Sequence, residues 1–150
     1  MNSKTSVKPG TSAAPTDSVG AALDVIGDRW SLLVLRAVFR GVHRFSDLRD
    51  DLGIASNLLT TRLRRLVDHG VLEKVVYQDR PQRYEYRLTE AGRDLSPVLV
   101  SLMQWGDRHR NEGAGSTVLV HAQCGARVAN TTRCTSCHEE VDATEIRKQQ

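Results

Sequence analysis

Two groups of residues in this 150-residue sequence have types and spacings that could do chemistry. The first is His121, Cys124, Cys134 and Cys137, an H-x2-C-x9-C-x2-C pattern that contains all 3 cysteines of the chain. Two pairs of this kind can converge on one tetrahedral ion, and three thiolates with an imidazole suit structural zinc. Gly125 fits the turn after the first pair; His138 holds the corresponding place after the second and could replace His121 as the fourth ligand. The same residues also suit a small β-hairpin with free thiols, or a Cys134 and Cys137 redox pair acting as a sensor. The second group lies in residues 54–70, I-A-S-N-L-L-T-T-R-L-R-R-L-V-D-H-G. From Ser56 to Arg65 it carries Arg62, Arg64 and Arg65 and no acid. A solvated helix mixes the signs of its charges, whereas one that meets a polyanion omits acids and keeps Asn, Thr and Arg for base edges and phosphates. An amphipathic helix with a few surface arginines is the plainer reading of that stretch alone.

The residue sets of catalysis are missing. A zinc deaminase combines H-x-E with P-C-x-x-C, but Ala122 and Gln123 follow His121, and Arg133 precedes Cys134. The C-x-x-C lacks the βαβ surroundings of a thioredoxin-like site, and there is no glycine-rich phosphate loop, nucleophile elbow or carboxylate pair. No enzyme activity is expected. A formal charge of +3 permits nucleic-acid binding without requiring it. No apolar run approaches the roughly 20 residues of a membrane span, and the first residues lack the core of a secretion signal, so a cytoplasmic protein without membrane contact is expected.

The elements that would position the basic stretch can be read around it. Residues 1–17 are Ser, Thr, Lys, Pro and Gly with little that is apolar, which predicts a disordered tail. Val19, Ala22, Leu23 and Ile26 predict a first helix closed by Gly27. Asp28 then caps a strongly apolar helix through Trp30, Leu33, Val34, Ala37 and Val38, the core pillar, ended near Gly41. Ser46 is expected to cap a short helix with Leu48 and Leu52 inward, and Gly53 to turn the chain into the next helix. That helix is expected to be capped by Ser56 and stopped by Gly70, with Leu59, Leu63 and Leu66 on one face. Two short helices joined by a glycine turn, the second basic and polar, make a helix-turn-helix.

After Gly70 the period changes: V-L-E-K-V-V-Y-Q and R-Y-E-Y-R-L flank D-R-P-Q, a hairpin with Arg80 and Arg83 near its tip and Lys74 and Arg87 on its arms. Such a wing can lie along a phosphate backbone. Thr89 is expected to cap a long apolar helix, bent or restarted at Pro97, whose Leu95, Val98, Leu99, Leu102, Met103 and Trp105 need a cover; a second copy of the chain would supply one.

The runs A-L-D-V-I-G-D-R-W-S-L-L-V-L-R, G-V-H-R-F-S-D-L-R-D-D-L-G-I-A-S-N-L-L-T-T-R-L-R-R-L-V-D-H-G-V-L-E and Y-E-Y-R-L-T-E-A-G-R-D-L-S-P-V-L, in this order over residues 18–105, resemble the HxlR family of bacterial winged helix-turn-helix regulators. The resemblance implies a dimeric repressor or activator that places residues 56–69 in the major groove and the 79–83 wing beside it, under control of a small-molecule or electrophilic effector. Many members carry a cysteine just ahead of the first helix; here Pro15, Thr16, Asp17 and Ser18 stand there, so that form of sensing is not available.

The expectation is a mainly α (α+β) winged helix-turn-helix with a long C-terminal dimerisation helix and a small Cys-rich ribbon-like tail. Its parts are a disordered segment over 1–17, the DNA-binding and dimerisation domain over 18–112, the tail over 113–142 and a disordered terminus over 143–150. The function expected is sequence-specific transcriptional regulation, as a repressor, by a homodimer on a palindromic operator. The other readings are a protein-interaction module with the tail as docking surface and a redox- or metal-responsive regulator. Asn57, Thr60, Thr61 and Arg64 are candidates for base edges and their margins, and Ser56 at the helix start is a further DNA-binding candidate. Arg62, Arg65, Arg80 and Arg83 are candidates for phosphates, with Arg62 near enough to the apolar stripe to be structural. His121, Cys124, Cys134 and Cys137 are the candidate zinc ligands.

Overall fold

A computed structural model of the chain describes residues 17–110 and 117–147. They fall into two compact units that divide after Thr89. The expected DNA-binding and dimerisation domain over 18–112 takes in the first unit and the beginning of the second. The expected tail over 1–17 lies outside the described residues except for Asp17.

In the first unit, α1 (Ser18–Ile26) begins where the Asp17 carboxylate accepts the Gly20 amide at 2.6 Å. Only Ile26 of this helix is buried; Val19 and Leu23 stand exposed, so most of its apolar face has no cover among the described residues. The pillar α2 (Arg29–Phe39) starts as expected at Asp28, whose Oδ1 accepts the Trp30 and Ser31 amides at 3.0 Å each. Its Oδ2 accepts the Ser31 hydroxyl at 2.5 Å, which lets Ser31 be fully buried without an orphaned polar group. Val34, Leu35, Ala37 and Val38 are buried alongside it.

The short helix α3 (Phe45–Leu52) and the helix α4 (Ser56–Asp68) follow, joined through Gly53. Gly53 has φ of 60°, the left-handed conformation that glycine adopts without a Cβ penalty. Leu48, Ile54, Leu59, Leu63 and Leu66 close over α2, each at most 4% exposed. Full burial of a leucine is worth about 1.5–3 kcal/mol against exposure, so the leucine face of α4 sets which face is left outside. Two expected caps are replaced. Arg44 stands at the N-cap of α3 and Ala55 at that of α4, neither with a side-chain cap; Ser46 lies two residues further in and Ser56 one, and the Ser46 hydroxyl donates to Asp47 at 3.0 Å.

The strands β1 (Leu72–Asp79) and β2 (Gln82–Leu88) pair antiparallel, with Leu72 opposite Leu88 and Asp79 opposite Gln82. The register slips between Val76 and Gln78, leaving Tyr77 as the extra residue of a bulge, a device that bends a strand and re-aims a side chain. The free edge of β2 is partly covered by the approach to α3: Arg44 bridges to Glu85, and the Tyr86 amide donates to the His43 carbonyl at 2.8 Å. Thr89 closes the unit by donating its hydroxyl to the Gly70 carbonyl at 2.6 Å.

In the second unit the expected long helix is split. A short α5 (Glu90–Arg93) precedes α6 (Ser96–His109), and Pro97 sits in the first turn of α6, where its missing amide hydrogen is tolerated. Val98, Leu102 and Trp105 are exposed along α6. The remaining described residues form two small loops and a 3-10 turn (Ala143–Glu145) with a capping box at Asp142.

Burial alone would raise the Asp28 pKa, but the Ser31 hydroxyl, the two amides and the Arg62 guanidinium together hold it below its ordinary 3.8. A folded-state pKa below the unfolded one gives stability that is complete above the ordinary carboxylate range and is lost as pH falls through the folded value. Asp28→Ala is expected to cost about 1–2 kcal/mol from the cap alone, read as a lower midpoint in urea. Asp28→Asn should keep most of the cap and show a weaker decline of stability in acid; an unaltered acid limb would assign that decline to other carboxylates.

Candidate nucleic-acid interface

Helix α4 divides cleanly. Leu59, Leu63 and Leu66 are buried, and Ser56, Asn57, Thr60, Thr61, Arg64 and Asp68 form the exposed stripe. This is the spacing of one helix face, so the polar candidates share a surface because the leucines have taken the opposite one. The Thr60 hydroxyl donates to the Ser56 carbonyl at 2.8 Å and the Thr61 hydroxyl to that of Asn57 at 3.0 Å. Both hydroxyl protons are therefore turned back on the helix, which leaves their methyl groups and oxygen lone pairs to meet a ligand.

The arginines of α4 do not act as one set. Arg64 is exposed on the stripe. Arg62 departs from its expected place at a phosphate: its Nε lies 3.1 Å from Asp28 Oδ1, in an ion pair whose alignment is not that of a hydrogen bond. Arg65 departs in the same direction, donating to the Asp24 carbonyl of α1. Both emerge beside the leucine face, where a long side chain can reach back over the core edge. They fasten α4 to the elements behind it.

Beside the stripe stands the hairpin. Arg80 and Arg83 are exposed at and next to its tip, while Arg87 is neutralised by Glu85, to which its Nε donates at 2.6 Å. Thr60, Arg64, Val67, Asp68, Lys74 and Tyr86 line a shallow concavity of about 180 Å³ between α4 and the strands. A second, open groove of about 330 Å³ runs between the start of α3 and the hairpin, with Arg44, Ser46, Lys74, Tyr77, Arg83 and Tyr84 among its walls. The Arg44 guanidinium lies 4.5 Å over the Tyr77 ring and the Lys74 ammonium 3.9 Å over Tyr84. Such stacking holds a cation in place without neutralising it, which suits both for anions. Arg44 was not among the sequence candidates; it lies outside α4 and the wing, and only its place in G-V-H-R-F-S, a basic stretch without an acid, hinted at it.

The family model described as HxlR-like helix-turn-helix matches residues 25–114. The chain belongs to the HxlR family. It is 47% identical over 131 residues to the HTH-type transcriptional regulator Rv3095 of Mycobacterium tuberculosis, itself uncharacterised, covering 87% of this chain and 83% of that one. The Bacillus subtilis regulator YtcD is 38% identical over 104 residues, 69% of this chain and 82% of the relative. Among solved structures, the candidate transcription factor PA1607 superposes with a TM-score of 0.81 at 38% identity, over 90% of this chain and 95% of its own. The reduced form of the redox regulator HypR superposes at 0.58 and 34% identity, over 65% and 99%. This HxlR-family chain is a winged-helix, DNA-binding transcriptional regulator, and the family is one of regulators rather than of enzymes. No helix among the described residues is long and apolar enough to cross a membrane.

The four candidate metal ligands lie in the second unit in two separate loops. His121 Nδ1 is 3.3 Å from Cys124 Sγ, and Cys134 accepts hydrogen bonds from the Ser136 and Cys137 amides. Among the described residues no three His, Cys, Asp or Glu side chains stand close enough to share an ion.

Arg62→Ala is expected to lower the thermal midpoint of the first unit and to leave the salt dependence of DNA affinity unchanged. An unaltered midpoint with a salt slope shallower by about one would return Arg62 to the phosphates.

Proposed function

We propose that the chain acts as a homodimeric repressor on a palindromic operator, reading bases with the Asn57, Thr60, Thr61 and Arg64 stripe of α4. The exposure of that stripe, opposite three buried leucines on the same helix, carries the reading. Asn suits adenine, Arg suits guanine and a threonine methyl suits the thymine methyl in the major groove. Ser56 opens the same stripe, at a helix start whose amides have no side-chain cap and are free to meet a phosphate. Arg44, Lys74, Arg80 and Arg83 take the flanking backbone, the first two held by their tyrosines. A dimer would set its two α4 helices about 34 Å apart, one turn of DNA, and block access to the sequence it spans.

The exposed apolar residues support the dimer. Val19 and Leu23 of α1 are 69% and 56% exposed, and Leu102 and Trp105 of α6 are 48% and 54% exposed, surfaces that a monomer would leave to water. A second copy of the chain is the cover we assign to them.

Arg64→Ala should change the order of preference among operator variants, by about 1–3 kcal/mol at the base it reads. Arg83→Ala should weaken all sequences alike and flatten the salt slope by about one. Binding-site selection from random DNA followed by titration at several salt concentrations measures both; parental behaviour in both variants would overturn the groove assignment. Leu102→Asp is expected to convert the dimer to a monomer in light scattering and to reduce operator affinity, whereas a dimer that survives this change and Leu23→Asp would place the interface elsewhere.

A further inference from the structure

No side chain over residues 117–147 is buried. Leu119, Asn130, Cys134 and Val141 are only partly covered, which is too little apolar contact to order a segment of this length. Its backbone is nevertheless specific, and the same geometry occurs twice, thirteen residues apart. Val120 bridges to Arg127, and Arg133 to Glu140. The His121 amide donates to the Ala126 carbonyl at 2.8 Å, and the Cys134 amide to that of Glu139 at 3.0 Å. The Gly125 amide returns to the His121 carbonyl at 2.8 Å, and the His138 amide to that of Cys134 at 3.1 Å. The outer rungs repeat too, Val128 to Leu119 at 2.8 Å and Val141 to Thr132 at 2.9 Å. Both loops turn through a left-handed residue, Gly125 at φ 70° and His138 at φ 62°.

The second of these turns is informative. A histidine in the left-handed region is strained relative to glycine, and surroundings that over-determine the backbone are needed to keep it there. Neither a core nor a disulfide supplies them here, since all three cysteines are free. The repeat puts His121 in register with Cys134 and Cys124 with Cys137, so each loop offers one pair of soft ligands from the same two positions. In the first pair the donor atoms are 3.3 Å apart, close to the roughly 3.6 Å edge that a tetrahedral zinc with ordinary N and S bonds requires.

We propose that one zinc ion joins the two loops through His121, Cys124, Cys134 and Cys137, and that this ion stands in for the core the segment lacks. The two pairs are half-sites that the ion draws together, as metal binding and folding are coupled in other small modules. The link between the loops is already anchored. Asn130 donates through its side chain to Ser101 Oγ at 3.2 Å and to the Pro97 carbonyl, and through its amide to Gln104 Oε1 at 3.3 Å. Gln104 Nε2 donates in turn to the Val128 carbonyl at 3.2 Å. Joining the loops on either side of Asn130 therefore fixes the tail to α6. The assignment is independent of the DNA-binding reading.

The test uses the full chain, produced with zinc in the medium and purified under reductant. About one zinc per chain is expected by elemental analysis and native mass spectrometry, with cobalt replacement giving the visible bands of a tetrahedral, thiolate-rich site. Cys124→Ser and Cys134→Ser should each weaken zinc at least tenfold in competition with a chromophoric chelator, and His121→Cys, which keeps a soft ligand, should retain it. Chelation should raise amide exchange over residues 119–141 and leave the first unit protected. A chain that neither carries zinc nor takes it up overturns the proposal, as does a Cys134–Cys137 disulfide in the freshly isolated protein. Zinc that survives Cys124→Ser but not Cys134→Ser overturns the four-ligand assignment.

Discussion

The placement of α4 rests first on one carboxylate. Asp28 opens α2 by accepting two amides, satisfies the buried Ser31 hydroxyl and meets the Arg62 guanidinium of α4. Leucine contacts are strong but weakly directional, and by themselves they would let α4 roll or slide on the pillar. The ion pair fixes one point of contact and the Arg65 bond to the Asp24 carbonyl fixes a second, one turn further along the same helix. With two attachments flanking the leucine face, the opposite face is determined. The exposed stripe is thus a consequence of what happens behind it.

This division explains which site residues could be read from the sequence. The 3.6-residue period assigns Asn57, Thr60, Thr61 and Arg64 to the face opposite Leu59, Leu63 and Leu66, and the structure has them there. It does not decide the flanks. Arg62 and Arg65 lie between the two faces, and whether such a residue turns out to solvent or back to the core depends on partners distant in sequence, Asp28 and Asp24. Arg44 was missed for the same reason. Its position over Tyr77 arises from a bulge in β1 and a bridge to β2, contacts that no local pattern encodes.

The elements themselves were legible where periodicity was long and punctuation unambiguous: the pillar after Asp28, the turn at Gly53, the stop at Gly70 and the hairpin. The expected serine caps failed because extended residues ahead of them, Arg44 and Ala55, take the N-cap positions, so α3 begins two residues and α4 one residue earlier than the side-chain chemistry suggests. Pro97 was compatible with a bend or a restart, and the turn at residues 94–95 made it a restart. In the tail, ligand spacing was visible but the thirteen-residue repeat was not. It resides in backbone hydrogen bonds and in two left-handed residues, one of them a histidine where a glycine would be the more usual residue.

The charges show how a chain of modest net charge can still present a basic face. With 21 Lys and Arg against 18 Asp and Glu, the overall balance gives little attraction for a polyanion. The ion pairs redistribute it. Asp28, Asp50, Asp51 and Glu85 are matched to Arg62, Arg49, Arg40 and Arg87, so several acids of the first unit are neutralised by cations outside the exposed stripe of α4. Arg64, Arg80 and Arg83 have no ion pair among the described residues, and Arg44 and Lys74 are held by aromatic rings. A guanidinium stacked on a ring keeps its net charge and its donors for a ligand, whereas one paired with a carboxylate has its charge compensated and some of its donors occupied. Local field and not net charge governs encounter with a charged partner, because exposed charges beyond about 10 Å are screened at ordinary ionic strength. The acids therefore contribute by occupying the cations that hold the fold, which leaves the remaining cations unneutralised on the exposed face of α4 and the hairpin.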